Sequence, residues 1–256
     1  MDDMSTDILQ RLASLERTVA TLVQLVGDKH VELLGELKLN IYDIHRNIHL
    51  RACQDTAEYV DSKMHGVPLF EDRPQLLSHL AALTKAIDGD VLEFGVSGGR
   101  SLALFGELLP DRKIFGFDSF EGLPEDWALN VKKGAYAVAA DKMKRVPANA
   151  SLIAGWFEDS LPNFFRTYAG PVALVHVDCD LYSSTVTVLR NIVPYIRPGL
   201  IIEFDEYMNY GAWRDHEFKA WQEFVTLHGI RYEYIGYTRR GKPCAVRILE
   251  VSGARK

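Results

Sequence analysis

The feature that most restricts this chain is a recurrence between residues 90 and 205. Five short apolar runs, at 90–96, 113–118, 151–155, 172–178 and 200–205, alternate with stretches of helical periodicity at 100–109, 159–168 and 184–195. Three of the runs close on an aspartate, at Asp118, Asp178 and Asp205. Strands joined by helical crossovers lie parallel and are covered on both faces, so their residues read as nearly continuous apolar runs. The expectation is an α/β fold with a doubly wound, mostly parallel sheet. A helix at 74–87 precedes this region; a helix at 213–228, a strand at 232–237, a basic turn at 239–242 and a strand at 244–250 follow it. A turn that short makes the last two strands antiparallel and brings the sheet to seven strands.

The amino-terminal part has a different period. Ile8, Leu12, Leu15, Val19, Leu22 and Val26 are spaced by alternating fours and threes, the seam of a coiled coil. The seam is expected to end near Gly27, with a second amphipathic stretch at 31–52 linking it to the core. This divides the chain into a helical extension, 1–52, and an α/β domain, 53–256. An isolated helix of this length is marginal in water, so the seam predicts a homo-oligomer. The net charge of −6 gives no general attraction to nucleic acid or to an anionic membrane, and neither is expected as a partner. The acidic start (Asp2, Asp3), the lack of a long apolar run and the widely spaced Cys53, Cys179 and Cys244 describe a soluble, cytoplasmic protein.

Within the α/β domain the first apolar run passes through Glu93 and Gly95 into Ser97-Gly98-Gly99-Arg100-Ser101. A strand, a glycine turn and a helix start let backbone approach a ligand and offer it unpaired N–H groups, at the end of the sheet where doubly wound folds bind ligands. Nineteen residues past Gly99, Asp118 and Ser119 end the second run, where a carboxylate can accept from a ribose diol. Trp156 and Phe157 follow the third run and supply aromatic surface for an adenine ring. Glu93 would repel a pyrophosphate but could meet the amino-acid end of S-adenosylmethionine. The turn also departs from the GxGxxG of nicotinamide-binding proteins, and the antiparallel terminal pair belongs to methyltransferase (Rossmann-like) sheets.

Two acidic clusters reach the same rim: His176-Val177-Asp178-Cys179-Asp180 and Asp205-Glu206-Tyr207. Such charges repel one another unless a cation intervenes, and oxygen ligands suit Mg²⁺ or another hard divalent ion. Asp178, Asp205 and Glu206 are the expected ligands, Asp178 or His176 the expected proton acceptor, and Asp180 a cap for the next helix. Tyr182, Tyr207, Tyr210, Trp213 and Arg214, with His176, are candidates for an acceptor pocket.

Glu93-Phe94-Gly95, Ser97 to Ser101, Phe117 to Pro124, Asp178 to Tyr182 and Phe204 to Tyr207 together resemble the macrocin O-methyltransferase family over residues 75 to 250. The resemblance implies methylation of a hydroxyl on a sugar or glycosylated small molecule, with S-adenosylmethionine and Mg²⁺. It implies that Glu93, Gly95, Ser101 and Asp118 hold the cofactor while Asp178, Asp205 and Glu206 hold the metal. Where that family has two aspartates, this chain has Asp205-Glu206. The alternatives are a glycosyltransferase, using the DxD at 178–180, and a non-catalytic coiled-coil scaffold.

Overall fold

The computed structural model describes residues 2–128, 130–138 and 146–253, with side chains from residue 10 onward except at 37 and 40. It divides into two compact units, Met1–Leu50 and Arg51–Lys256. In the first, α1 (Asp2–Tyr42) runs through both Gly27 and Gly35. The expected stop at Gly27 is therefore corrected. A glycine inside a helix costs only about 1 kcal/mol against alanine, too little to end a run that is otherwise helical. Leu12, Leu15, Val19, Leu22 and Val26 of the seam are each at least half exposed; the side chain of Ile8 lies outside the described ones. The next helix, α2 (Ile44–Lys63), starts after Asp43, whose carboxylate accepts the Arg46 N–H at 3.0 Å.

The second unit is built on a sheet of eight strands: β1 (Leu69–Phe70), β2 (Asp90–Phe94), β3 (Ile114–Asp118), β4 (Ala150–Ala154), β5 (Val172–Val177), β6 (Ile201–Phe204), β7 (Ile230–Thr238) and β8 (Cys244–Val251). Their order is β1-β7-β8-β6-β5-β2-β3-β4. β8 runs antiparallel to both β6 and β7, and the remaining pairs are parallel. The seven expected strands are present, and the two-residue β1 adds an edge beside β7.

Alternate side chains of the strands enter two apolar layers. On one face Val91, Leu174 and Ile201 meet Leu76 and Leu80 of α3 (Arg73–Thr84) and Leu102 and Phe105 of α4 (Arg100–Leu108). On the other, Leu92, Val175 and Phe204 meet α5 (Phe157–Phe165), α6 (Tyr182–Ile192) and α7 (Glu217–His228) through Leu161, Val188 and Trp221. The chain leaves β2 toward β3 and β4, then returns to the other side of β2 with β5 and β6. That reversal opens a crevice beyond the carboxyl ends of β2 and β5, the ligand-binding position of such sheets. Among the described residues no helix is long and apolar enough to cross a membrane.

Candidate active site

One wall of the crevice is made of backbone. After Phe94 the chain turns through Gly95, at φ +94°, and reaches Gly99, at φ +73°, which precedes the first residue of α4. A Cβ on Gly95 would lie 1.8 Å from the carbonyl oxygen of Asp178, so the loop presses directly on the end of β5. Asp118 fastens it from the other side: its Oδ2 accepts the N–H groups of Val96 at 2.8 Å and Ser97 at 2.7 Å, and Oδ1 accepts that of Phe120 at 2.7 Å. A carboxylate has about four acceptor positions, so about one remains for a ligand hydroxyl rather than the pair expected for a ribose diol.

This wall borders a cavity of about 450 Å³, to which Gly95, Ser97, Gly98, Ser101, Asp118 and Ser119 contribute. Trp156 and Phe157 line it further along, with Phe157 also packed edge-on against Phe94 at 6.0 Å. Gly99 does not line it. Glu93, expected to touch the cofactor, is fully buried behind the wall and also outside the lining. Its Oε1 accepts from the Ser101 hydroxyl at 2.6 Å and its Oε2 has no hydrogen-bond partner. Burial pushes this carboxyl up to about 7.

The opposite wall is made of side chains. Asp178, Asp180 and Glu206 line the cavity, and Asp205 stands behind them. Between Asp178 and Asp205 lies the guanidinium of Arg73, a residue the sequence reading passed over. Its Nη2 donates to Asp178 Oδ2 at 2.6 Å and its Nε lies 2.6 Å from Asp205 Oδ1. Arg73 is the first residue of α3, which is capped by Asp72 accepting the Gln75 N–H at 2.9 Å. A cation in the first turn opposes the helix dipole. That misplaced charge just after an Asp cap was the available signal for Arg73.

His176 supports the guanidinium from beneath. It sits between Glu93 and Glu203 in register across β2, β5 and β6, all three fully buried, and its Nδ1 is bonded to Glu203. Burial and the neighbouring Arg73 oppose the charged imidazole while Glu203 favours it, and the guanidinium contact decides which nitrogen can carry a proton. Nε2 lies 3.0 Å from Arg73 Nη2. Because Arg73 only donates, the contact requires a lone pair on Nε2, which places the ring proton on Nδ1 toward Glu203. With one nitrogen on Glu203 and the other on Arg73, His176 has neither ring nitrogen free for a ligand and does not line the cavity. Its contacts make it a support for Arg73 rather than a neighbour of the ligand.

Asp180 is not the expected helix cap, since Leu181 holds the cap position of α6. It adopts φ +62°, and its N–H donates to Glu217 Oε1 at 3.2 Å, while Glu217 Oε2 accepts the Glu206 N–H at 2.9 Å. Among the described residues none donates a hydrogen bond to the Asp180 carboxylate. Burial, with Asp178 and Glu206 nearby, pushes it up to about 8. Glu206 reaches the other way, to Lys242 Nζ at 2.7 Å; that ammonium also faces the rings of Trp127 and Tyr210, 5.1 and 5.2 Å from their centroids. Burial raises Glu206 to about 7 although Lys242 works against it.

A hard divalent ion needs about six oxygens at roughly 2.0–2.6 Å. Here the gap between Asp178 and Asp205 holds a guanidinium and Glu206 is turned to an ammonium. Among the described residues no group of three or more ligating side chains converges on one point. As paired here, with Arg73 between Asp178 and Asp205 and Lys242 on Glu206, the donor set does not fit Mg²⁺ or a similar ion. The expected acceptor residues are also elsewhere: Tyr207, Tyr210 and Trp213 are buried in the core, Arg214 is paired twice with Asp55 at 2.8 Å, and Tyr182 bonds Glu223 at 2.6 Å.

The methyltransferase domain model matches residues 92–207. The chain is 29% identical to the 8-demethyl-8-(2,3-dimethoxy-alpha-L-rhamnosyl)-tetracenomycin-C 4'-O-methyltransferase of Streptomyces olivaceus, over 49% of this chain and 55% of that protein. It is 30% identical to the mycinamicin III 3''-O-methyltransferase of Micromonospora griseorubida, over 63% of this chain and 70% of that protein. The solved calicheamicin methyltransferase CalS11 superposes with a TM-score of 0.56 at 25% identity, over 68% of this chain and 77% of that one. The chain thus spans little more than half, 55%, of the tetracenomycin relative's length. Sheet order, crevice and glycine loop define a class I methyltransferase fold. Within that class the chain belongs to the macrocin O-methyltransferase family.

Proposed function

We propose that this chain is an S-adenosylmethionine-dependent O-methyltransferase acting on a hydroxyl of a sugar or glycosylated small molecule. The observation that carries the reading is the cavity itself, in which a glycine loop faces a buried carboxylate with no cationic partner, Asp180. The residues fit the cofactor: Gly95 to Gly98 bring backbone close, Asp118 keeps one acceptor position, and Trp156 and Phe157 offer ring faces. When bound, S-adenosylmethionine supplies a methyl group on a positively charged sulfur. Asp180 accepts the proton of the acceptor hydroxyl as that oxygen takes the methyl group. Asp178, whose Oδ2 is taken up by Arg73, serves with Glu206 to orient the other hydroxyls of a polyol. The rhamnosyl compound in one relative's name supports this acceptor class. No step is routed through a divalent ion, because a guanidinium fills the gap between Asp178 and Asp205 and Glu206 is turned to Lys242.

Calorimetry with S-adenosylhomocysteine, followed by transfer of a labelled methyl group to a panel of glycosylated acceptors, tests this reading. A folded sample that binds neither the cofactor nor its product refutes it.

The partner and the compartment complete the proposal. In the α1 seam Leu12, Val19 and Val26 fall at one heptad position and Leu15 and Leu22 at the other, and the β-branched Val19 and Val26 set against leucines favour a parallel two-stranded coil with a second copy. Removing residues 1 to 28 should halve the mass seen by light scattering; an unchanged mass excludes the seam as the contact. The buried thiols Cys179 and Cys244 suit a cytoplasm.

A further inference from the structure

We infer that the cation of this centre is part of the chain: Arg73 and Lys242 stand where a divalent ion would, and the acidic wall works without one. The inference deepens the methyltransferase reading by naming the charge that an acceptor hydroxyl meets. It rests on three observations. The guanidinium bridges Asp178 and Asp205 at 2.6 Å to each, so its atoms fill the gap in which an ion would have to sit. It is keyed from behind, with Nη2 on His176, and His176 is in turn bonded to Glu203 within the sheet. A side chain held at both ends in this way is a fitted part of the wall.

The third observation concerns the rim's odd residue. Glu206 is one methylene longer than an aspartate, and that length takes its carboxylate to Lys242, 2.7 Å away, instead of toward Asp178 and Asp205. Lys242 comes from the β7–β8 turn and is steadied by two rings, Trp127 and Tyr210. Two resident cations therefore answer three carboxylates of the same wall. A permanent guanidinium has consequences that an exchangeable ion does not: it cannot be chelated, and it offers donors to an acceptor oxygen without bonding to it. Arg73 is a positioning residue in this account.

The test needs no acceptor. Mn²⁺ is titrated into the parent protein, Arg73→Met and the double variant Arg73→Met with Lys242→Met, with and without S-adenosylhomocysteine, and free Mn²⁺ is read by electron paramagnetic resonance. The parent should bind no stoichiometric Mn²⁺ in the millimolar range. Removing the guanidinium frees Asp178 and Asp205, so affinity should rise by about tenfold or more, and further in the double variant. Binding of one Mn²⁺ by the parent that Asp205→Asn abolishes overturns the inference, as does a folded Arg73→Met that gains nothing. If Arg73→Met does not fold, Arg73→Gln and the parent titration carry the same decision. Affinity for S-adenosylhomocysteine is read separately, so a parent that binds neither ligand loses the proposed function and leaves this inference standing.

Discussion

The two walls of the cavity are built by opposite means. The glycine wall is almost all backbone from one continuous stretch, residues 93–101, fastened by a single side chain, Asp118. The acidic wall is almost all side chain, brought together from Arg73 on α3, Asp178 and Asp180 after β5, Asp205 and Glu206 after β6, Glu217 on α7 and Lys242 beyond β7. Backbone presents the same N–H groups whatever the side chain, so the first wall depends on where a Cβ is allowed. The second depends on charge, and each member is held by another member.

That difference predicts which substitutions are severe. The largest effect should come from Gly95→Ala, on the backbone wall. The added methyl would meet the Asp178 carbonyl at 1.8 Å in a conformation, φ +94°, that alanine disfavours. Strain and overlap together should cost more than about 3 kcal/mol and separate the two walls. A thermal melt and calorimetry with S-adenosylhomocysteine should show both stability and binding lost; a variant that keeps both would mean the loop does not depend on that close approach.

Next in size is Asp180→Asn, on the charged wall. It preserves shape, so cofactor affinity should hold within about threefold while methyl transfer falls roughly a hundred- to ten-thousand-fold. The parent's rate should also depend on pH with a definite sign. The base must be ionised to accept a proton, and burial raises its pKa to about 8. The rate of the chemical step should therefore climb about tenfold per pH unit up to about 8 and then level off. The residual rate of the asparagine variant should lack that limb. An unchanged profile in Asp180→Asn would return the role to Asp178.

The contrast between the walls also explains what the sequence made legible. Strands, crossovers and the glycine turn are local patterns, and so the sheet, its antiparallel end and Gly95 to Ser101 could be read directly. The charged wall depends on residues up to about 170 positions apart, such as Arg73 and Lys242, and no local pattern links them. Three nearby acids read alone suggest an ion; only the tertiary fold brings in the basic groups that replace it. The Asp180 cap was misread, and the link from His176 to Arg73 was out of view, for a related reason. Periodicity places both near the end of one strand, but whether a side chain faces the cavity or the α3 side depends on backbone, including the φ of +62° at Asp180. In the extension, Gly27 misled because a glycine's usual meaning as a stop is only a preference of about 1 kcal/mol.

The smallest effect should come from Glu93→Gln, which lies behind both walls: it holds Ser101 of the glycine loop and shares a register row with His176 under the guanidinium. Glutamine keeps an acceptor for the Ser101 hydroxyl and removes a charge whose second oxygen has no partner. Because burial raises the folded carboxyl from the ordinary 4.5 to about 7, its contribution to stability is fully present below about pH 4.5 and is lost as pH rises through about 7. Asp180, Asp205, Glu206 and Glu217 are all raised as well, so the parent's melting temperature should decline between pH 5 and pH 8. The glutamine variant removes one share of that decline and should melt a few degrees above the parent at pH 8, with little difference at pH 5. S-adenosylhomocysteine affinity should change less than about threefold, since Glu93 does not line the cavity. A tenfold loss of affinity with the melting profile unchanged would show that Glu93 reaches the ligand after all, and would make the glycine wall as dependent on charge as the acidic one.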